Sequence, residues 1–105
     1  MTEAILVLCT CPSEGVANLL ASQLVAQRLA ACVNVIPAVQ SIYCWQQKVE
    51  QSDECQLLIK SHRELFEPLR LFLREHHPYE VPEIMAIPVL LADADYLKWI
   101  QDVTR

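Results

Sequence analysis

The sequence predicts an α+β fold, a ferredoxin-like βαββαβ sandwich: an antiparallel four-stranded sheet with two helices on one face, followed by a C-terminal helix. Three observations carry this. Strand-like and helix-like periodicities alternate in that order along 105 residues. Residues 32–45 and 48–60 read as two strands joined by the polar Gln46-Gln47-Lys48, one long β-hairpin. The apolar share is 53% and the mean hydropathy +0.23, more than a small monomer with a polar surface needs. Apolar surface buried between copies of the chain is expected to account for the excess.

Ile5-Leu6-Val7-Leu8-Cys9 is a continuous branched run, expected as a central strand buried on both faces and stopped by Pro12. Ser13 is a good N-cap and Glu14 puts an acid in the first turn of a helix expected to reach Ala31. Val16, Leu20 and Leu24 form one apolar stripe and Leu19, Ala26 and Ala30 a second, so this helix should be covered on more than one side. Pro37 should bend or bulge the first hairpin strand. In the second, Cys55, Leu57 and Ile59 alternate with Glu54, Gln56, Leu58 and Lys60. With Gly15 the only glycine, tight I′ turns are not expected.

Ser61-His62-Arg63-Glu64 has capping-box spacing, but Pro68 would then fall inside the helix. A first turn followed by the main helix, with Pro68 near its start, is the better reading. Leu65, Leu69, Phe72, Leu73 and His76 share its apolar face. Pro78 should end it at His77. Residues 84–89 read as the fourth strand. Asp93 caps a last helix expected to pack through Tyr96, Trp99, Ile100 and Val103. The whole, residues 1–105, reads as one domain.

A net charge of -5 argues against binding a nucleic-acid backbone. No apolar run approaches the roughly 20 residues of a membrane span, and the N-terminal residues lack the basic region of an export signal. The five cysteines, 9, 11, 32, 44 and 55, fit no zinc-ribbon spacing, Cys9-Thr10-Cys11 being C-x-C. Reduced thiols in a cytoplasmic protein are the expectation.

His76-His77-Pro78-Tyr79-Glu80-Val81-Pro82-Glu83 is the most informative segment. Imidazoles at a helix C-terminus suit a cation site or a cap for open carbonyls. Adjacent on a regular helix, the two point about 100° apart, so both reach one ion only if the helix frays at Pro78. Cys9, ending a buried apolar strand, reads first as a small core residue and only second as a soft ligand. Glu80 and Glu83 are expected in salt bridges, and Glu50, Asp53 and Glu54 on a solvated face. Tyr43, Trp45 and Tyr79 either line a pocket for a planar ligand or pack between subunits, the second being favoured.

Leu29-Ala30-Ala31-Cys32-Val33-Asn34-Val35-Ile36-Pro37, then Ser41-Ile42-Tyr43-Cys44-Trp45, then His77-Pro78-Tyr79-Glu80-Val81-Pro82-Glu83-Ile84 resemble the CutA divalent-cation tolerance proteins in order and spacing. Tyr96-Leu97-Lys98-Trp99-Ile100 is similar too. The resemblance implies a ferredoxin-like protomer in a tight homotrimer built by strands that cross between subunits. It also implies association with copper and other divalent cations, without an established enzymatic activity. The family's copper-binding positions fall on Cys9, His76 and His77, which implies Cu2+, one per subunit; a cysteine with two histidines would also suit zinc. Three departures stand out. Ala38 occupies a usual glycine, so the bend after Pro37 should be shallower; Gln46-Gln47 replaces Glu-Gly; and Cys44 replaces an aromatic.

The expectation is therefore a cytoplasmic, non-enzymatic, trimeric copper-binding protein acting in metal tolerance and the response to metal ions. Its partners would be itself and the metal ion, with neither nucleic acid nor membrane. One alternative is a trimeric signalling or scaffold module that binds a small ligand or protein at clefts between subunits. A Cys9–His77 dyad would make an enzyme, but a chain with one glycine offers few exposed amides for an oxyanion hole.

Overall fold

Eight residues of alternating exposure, Ala4–Cys11, form the strand at the centre of the fold, β1. The computed structural model describes residues 2–105. Along it follow α1 (Glu14–Ala26), β2 (Cys32–Trp45), β3 (Lys48–His62), α2 (Phe66–His76), β4 (Met85–Pro88) and α3 (Ala94–Val103). The βαββαβ order with a final helix is the predicted one. The four strands form one antiparallel sheet in the order β2-β3-β1-β4.

The strand period of two sorts the sheet. Ile5, Val7, Cys9 and Cys11 of β1 and Cys55, Leu57 and Ile59 of β3 share one face. Ala17, Leu20 and Leu24 of α1 and Leu69, Phe72 and Leu73 of α2 cover it. Fully burying such a side chain contributes about 1.5–3 kcal/mol, so this layer dominates the stability of the protomer. On the opposite face Leu6, Leu8 and Thr10 are only half-buried. β1 is thus covered on one face within the chain, not on both as its apolar run predicted.

Ser13 caps α1, its Oγ accepting from the Val16 amide at 3.2 Å. The helix ends at Ala26, five residues short of the expected Ala31. Arg28 turns into left-handed backbone at φ 60°. Its amide then donates to the Val25 carbonyl and that of Leu29 to Leu24, both at 2.9 Å. This is a Schellman ending, closed by burial of Leu24 and Leu29 in the core. Arginine stands at the position glycine usually takes, which is why the ending is invisible in the sequence. Only Ala17, Leu20 and Leu24 of α1 are buried; Leu19 and Val25 are exposed, so the helix is covered on one side only.

The hairpin outgrows the sheet. β1 pairs with β3 from Ala4↔His62 to Cys11↔Cys55, and beyond that point, among the described residues, β3 has only β2 beside it. The protruding half exposes Ile42, Tyr43, Trp45 and Val49. Its tip is a two-residue turn, with Gln46 at φ 51° and Gln47 at φ 68°. Positive φ at both positions is the I′ pattern, contrary to the expectation from glycine scarcity: the right-handed twist of long paired strands selects this turn and two glutamines take the strain. The bulge falls between Ile36 and Val39, as Pro37 predicts. Ala38 lies in it at φ 61°, so the bend keeps the conformation glycine would take and is not shallower.

Two further readings change. Ser61 does not cap a helix; it ends inside β3, and its buried hydroxyl donates to the Leu29 carbonyl at 2.7 Å. A single 3-10 turn, Arg63–Leu65, leads into α2, with Pro68 in the helix's first turn as expected. In α3 the Asp93 carboxylate caps as predicted, accepting from the Asp95 and Tyr96 amides. Ile100 is buried and Leu97 and Val103 pack beside it, but Tyr96 and Trp99 face outward, stacked at 5.6 Å.

Candidate metal centre

Two elements build the centre. The C-x-C of β1 places Cys9 and Cys11 on the same face of the strand, two residues apart, pointing into the core. Pro78 forces His77 out of helical backbone, to φ -75° and ψ 137°, so its ring leaves the axis of α2. The imidazole turns back onto the end of β1. The thiols of Cys9 and Cys11 and a ring nitrogen of His77 then lie within 4.8 Å of one another, all three residues buried.

Hydrogen bonds fix the ring. Nε2 of His77 donates to the Thr10 carbonyl at 2.7 Å. Nδ1 accepts from the Tyr79 amide at 3.1 Å. The tautomer is therefore Nε2–H, with the lone pair on Nδ1. An N–H held by a backbone carbonyl is the usual orienting contact of a metal-bound histidine.

The thiols are unlike. Cys9 is held protonated, its pKa raised by its contact with Cys11, by burial, and by the charges of Cys11, Glu83 and Glu54. Cys11 moves the other way: the hydrogen bond from Cys9 lowers its pKa against the effect of burial, and His77 lowers it further. For His77, burial pulls the pKa down, but Cys11 and the Thr10 carbonyl raise it above the ordinary histidine value overall.

Of the residues the sequence singled out, the fold brings Cys9 and His77 together. His76 stands apart as the last residue of α2, stacked on Phe72 at 4.4 Å and 3.9 Å from the Glu75 carboxylate, with its side chain 44% exposed. Cys11 was the residue missed. Its signal was present: read as a strand, C-x-C is a same-face thiol pair, whereas measured against C-x-x-C it looks like no motif.

Beside the centre lies a cleft of about 750 Å³, bounded by the hairpin and the turn after α2 and lined by Tyr43, Trp45, Glu54, Tyr79 and Glu83 among others. Glu54, expected on a solvated face, is buried here and accepts from the Tyr79 hydroxyl at 2.6 Å. Burial follows because β3 carries it under the 78–83 turn. Glu83 accepts from the Gln56 side chain at 3.4 Å.

Comparison with known proteins agrees with this architecture. The family described as CutA1 divalent ion tolerance protein matches residues 5–103. The "Divalent-cation tolerance protein CutA" of Yersinia pestis (strain Pestoides F) is 44% identical over 99 residues, which cover 94% of this chain and 83% of that protein. Among solved structures, the "Divalent cation tolerance protein (Cut A1)" of Thermus thermophilus superposes with a TM-score of 0.95 at 43% identity, covering 97% of this chain and 99% of that one. A protein of Archaeoglobus fulgidus described as "Periplasmic divalent cation tolerance protein CutA" gives a TM-score of 0.93 at 32% identity, over 95% and 97% of the two chains. The chain belongs to the CutA1 divalent ion tolerance family.

Proposed function

We propose that this protein is a non-enzymatic, cytoplasmic homotrimer that binds copper or a related divalent ion, one per subunit, and acts in metal tolerance. The observation that carries the reading is the meeting of the Cys9 thiol and the His77 imidazole in one buried cluster. A thiol with imidazole suits copper or zinc over magnesium or calcium. In the ligand set the resemblance implies, His76 would be the third donor; it joins only if the last turn of α2 unwinds. The trimer is supported by the half of the hairpin that has no partner strand and by the apolar side chains it exposes.

Thermal unfolding with limiting copper tests the reading. A ligand that binds only the folded state stabilises it by about 2.7 kcal/mol at 100-fold excess over its Kd. The wild type should gain stability, and Cys9→Ser and His77→Ala should lose the gain. Equal gains in both folded variants would remove this centre.

A second reading has its own observation. The cleft lined by Tyr43, Trp45 and Tyr79, with Glu54 and Glu83 at hand, fits a trimeric signalling or scaffold module that takes a planar, cationic small ligand. Ligand binding that persists without metal and fails in Tyr79→Ala would favour it.

A further inference from the structure

We propose that the third donor of the centre is Cys11, not His76, and that the ion this set holds is univalent copper. The inference rests on the copper reading above and names the donors and valence it leaves open. Cys9 and Cys11 present two thiols from one strand face, and His77 faces both, within 4.8 Å. The His77 ring is already held against the end of β1: Nε2 bonds the carbonyl of Thr10, the residue between the two cysteines, and Nδ1 takes the Tyr79 amide, so ligation replaces one of these two bonds. No such preparation exists at His76, whose ring lies against Phe72 beside Glu75.

Two thiolates and one imidazole are a soft set of three, which suits univalent copper. Divalent copper prefers a tetragonal set of nitrogen and oxygen. Zinc prefers four donors, and among the described residues this cluster supplies three. On binding, each protonated thiol releases its proton as its sulfur takes the ion, so protons leave and no electron moves. The centre is buried, so the ion enters by local opening at the 78–83 turn, and release should be slow.

The test uses the full chain, without oxygen and with ascorbate as reductant. Univalent copper is supplied as its bicinchoninate complex, so uptake is read as loss of the chelator's colour. X-ray absorption then reports the donors. One ion per chain, with two sulfur neighbours and one nitrogen, is expected. Cys11→Ser should weaken binding by more than the roughly 10–100-fold that loss of an outer partner costs. His76→Ala should leave it unchanged, as should Cys55→Ser, a buried cysteine opposite Cys11 but outside the cluster. Binding lost in His76→Ala and kept in Cys11→Ser overturns the Cys11 assignment and leaves the copper reading standing. Divalent copper held stably on nitrogen and oxygen alone, with all thiols still reduced, overturns the valence. No copper of either valence on the folded wild type removes the copper reading itself. Should Cys11→Ser fail to fold, the number of sulfur neighbours in the wild type decides: two supports Cys11, one overturns it.

Discussion

The Tyr79 hydroxyl donates to Oε2 of Glu54 at 2.6 Å, tying the turn after α2 to β3 beside the candidate centre. Burial, then the Glu54 carboxyl, push the Tyr79 pKa far above the ordinary tyrosine value. A group with a raised folded pKa contributes stability that is intact below its unfolded pKa and is lost as pH rises through the folded one. For a tyrosine that window opens above about pH 10. Ultraviolet titration should therefore find one of the three tyrosines ionising last, and Tyr79→Phe should remove that step. The same variant leaves a buried carboxyl short of a donor and should cost about 1–3 kcal/mol in urea unfolding. Normal ionisation of all three tyrosines in the wild type would break the assignment.

Arg28 has two roles that substitution can separate. Its guanidinium donates to the carbonyls of Asp102, Val103 and Thr104, closing the C-terminus of α3, while its backbone sits at φ 60°. Arg28→Ala loses the cap and keeps the strain; Arg28→Gly loses the cap and relieves it. The glycine variant should be the more stable of the two by about 1 kcal/mol, measured by denaturant midpoints at equal slope. The reverse order would contradict the Schellman ending.

Ala38 and Gln47 should both gain from glycine. Each holds left-handed backbone, which costs an L-residue about 1–2 kcal/mol. Part of that relief is offset by the greater freedom of an unfolded glycine. Ala38→Gly and Gln47→Gly should each raise stability by about 0.5–1 kcal/mol, and a drop in thermal midpoint for either would contradict the strain assigned to that position.

The unpartnered half of the hairpin predicts assembly. Light scattering at micromolar concentration should give three times the 12.0 kDa chain mass. Trp45→Ala, on the exposed apolar stretch, should lower the melting temperature more than Gln47→Ala at the turn. A folded, stable monomer would leave those side chains in water and contradict the account of the hairpin.

The fold was legible where burial writes a period. Alternation in Cys55, Leu57 and Ile59, the cap residues Ser13 and Asp93, and the bend at Pro37 all appear where the sequence places them. It was illegible where a residue acts against its type. Arg28, Ala38, Gln46 and Gln47 take backbone that glycine usually marks, so the end of α1 and the turn type left no signal. Tyr96 and Trp99 look like core and lie outside, because Leu97 and Ile100 meet the sheet instead. The meeting of Cys9 with His77 in one cluster was legible through the family resemblance. The separation of His76 was readable only as the angle between neighbours on a helix, and Cys11 only once Cys9-Thr10-Cys11 is seen as a strand.

Metal content tests the central claim most directly. The untagged protein, purified without chelator from cells grown with copper and analysed by elemental mass spectrometry, should carry one copper per chain. Cys9→Ser and His77→Ala, purified in parallel and still folded, should carry almost none. A wild type free of copper, or variants that carry as much as the wild type, would contradict the account.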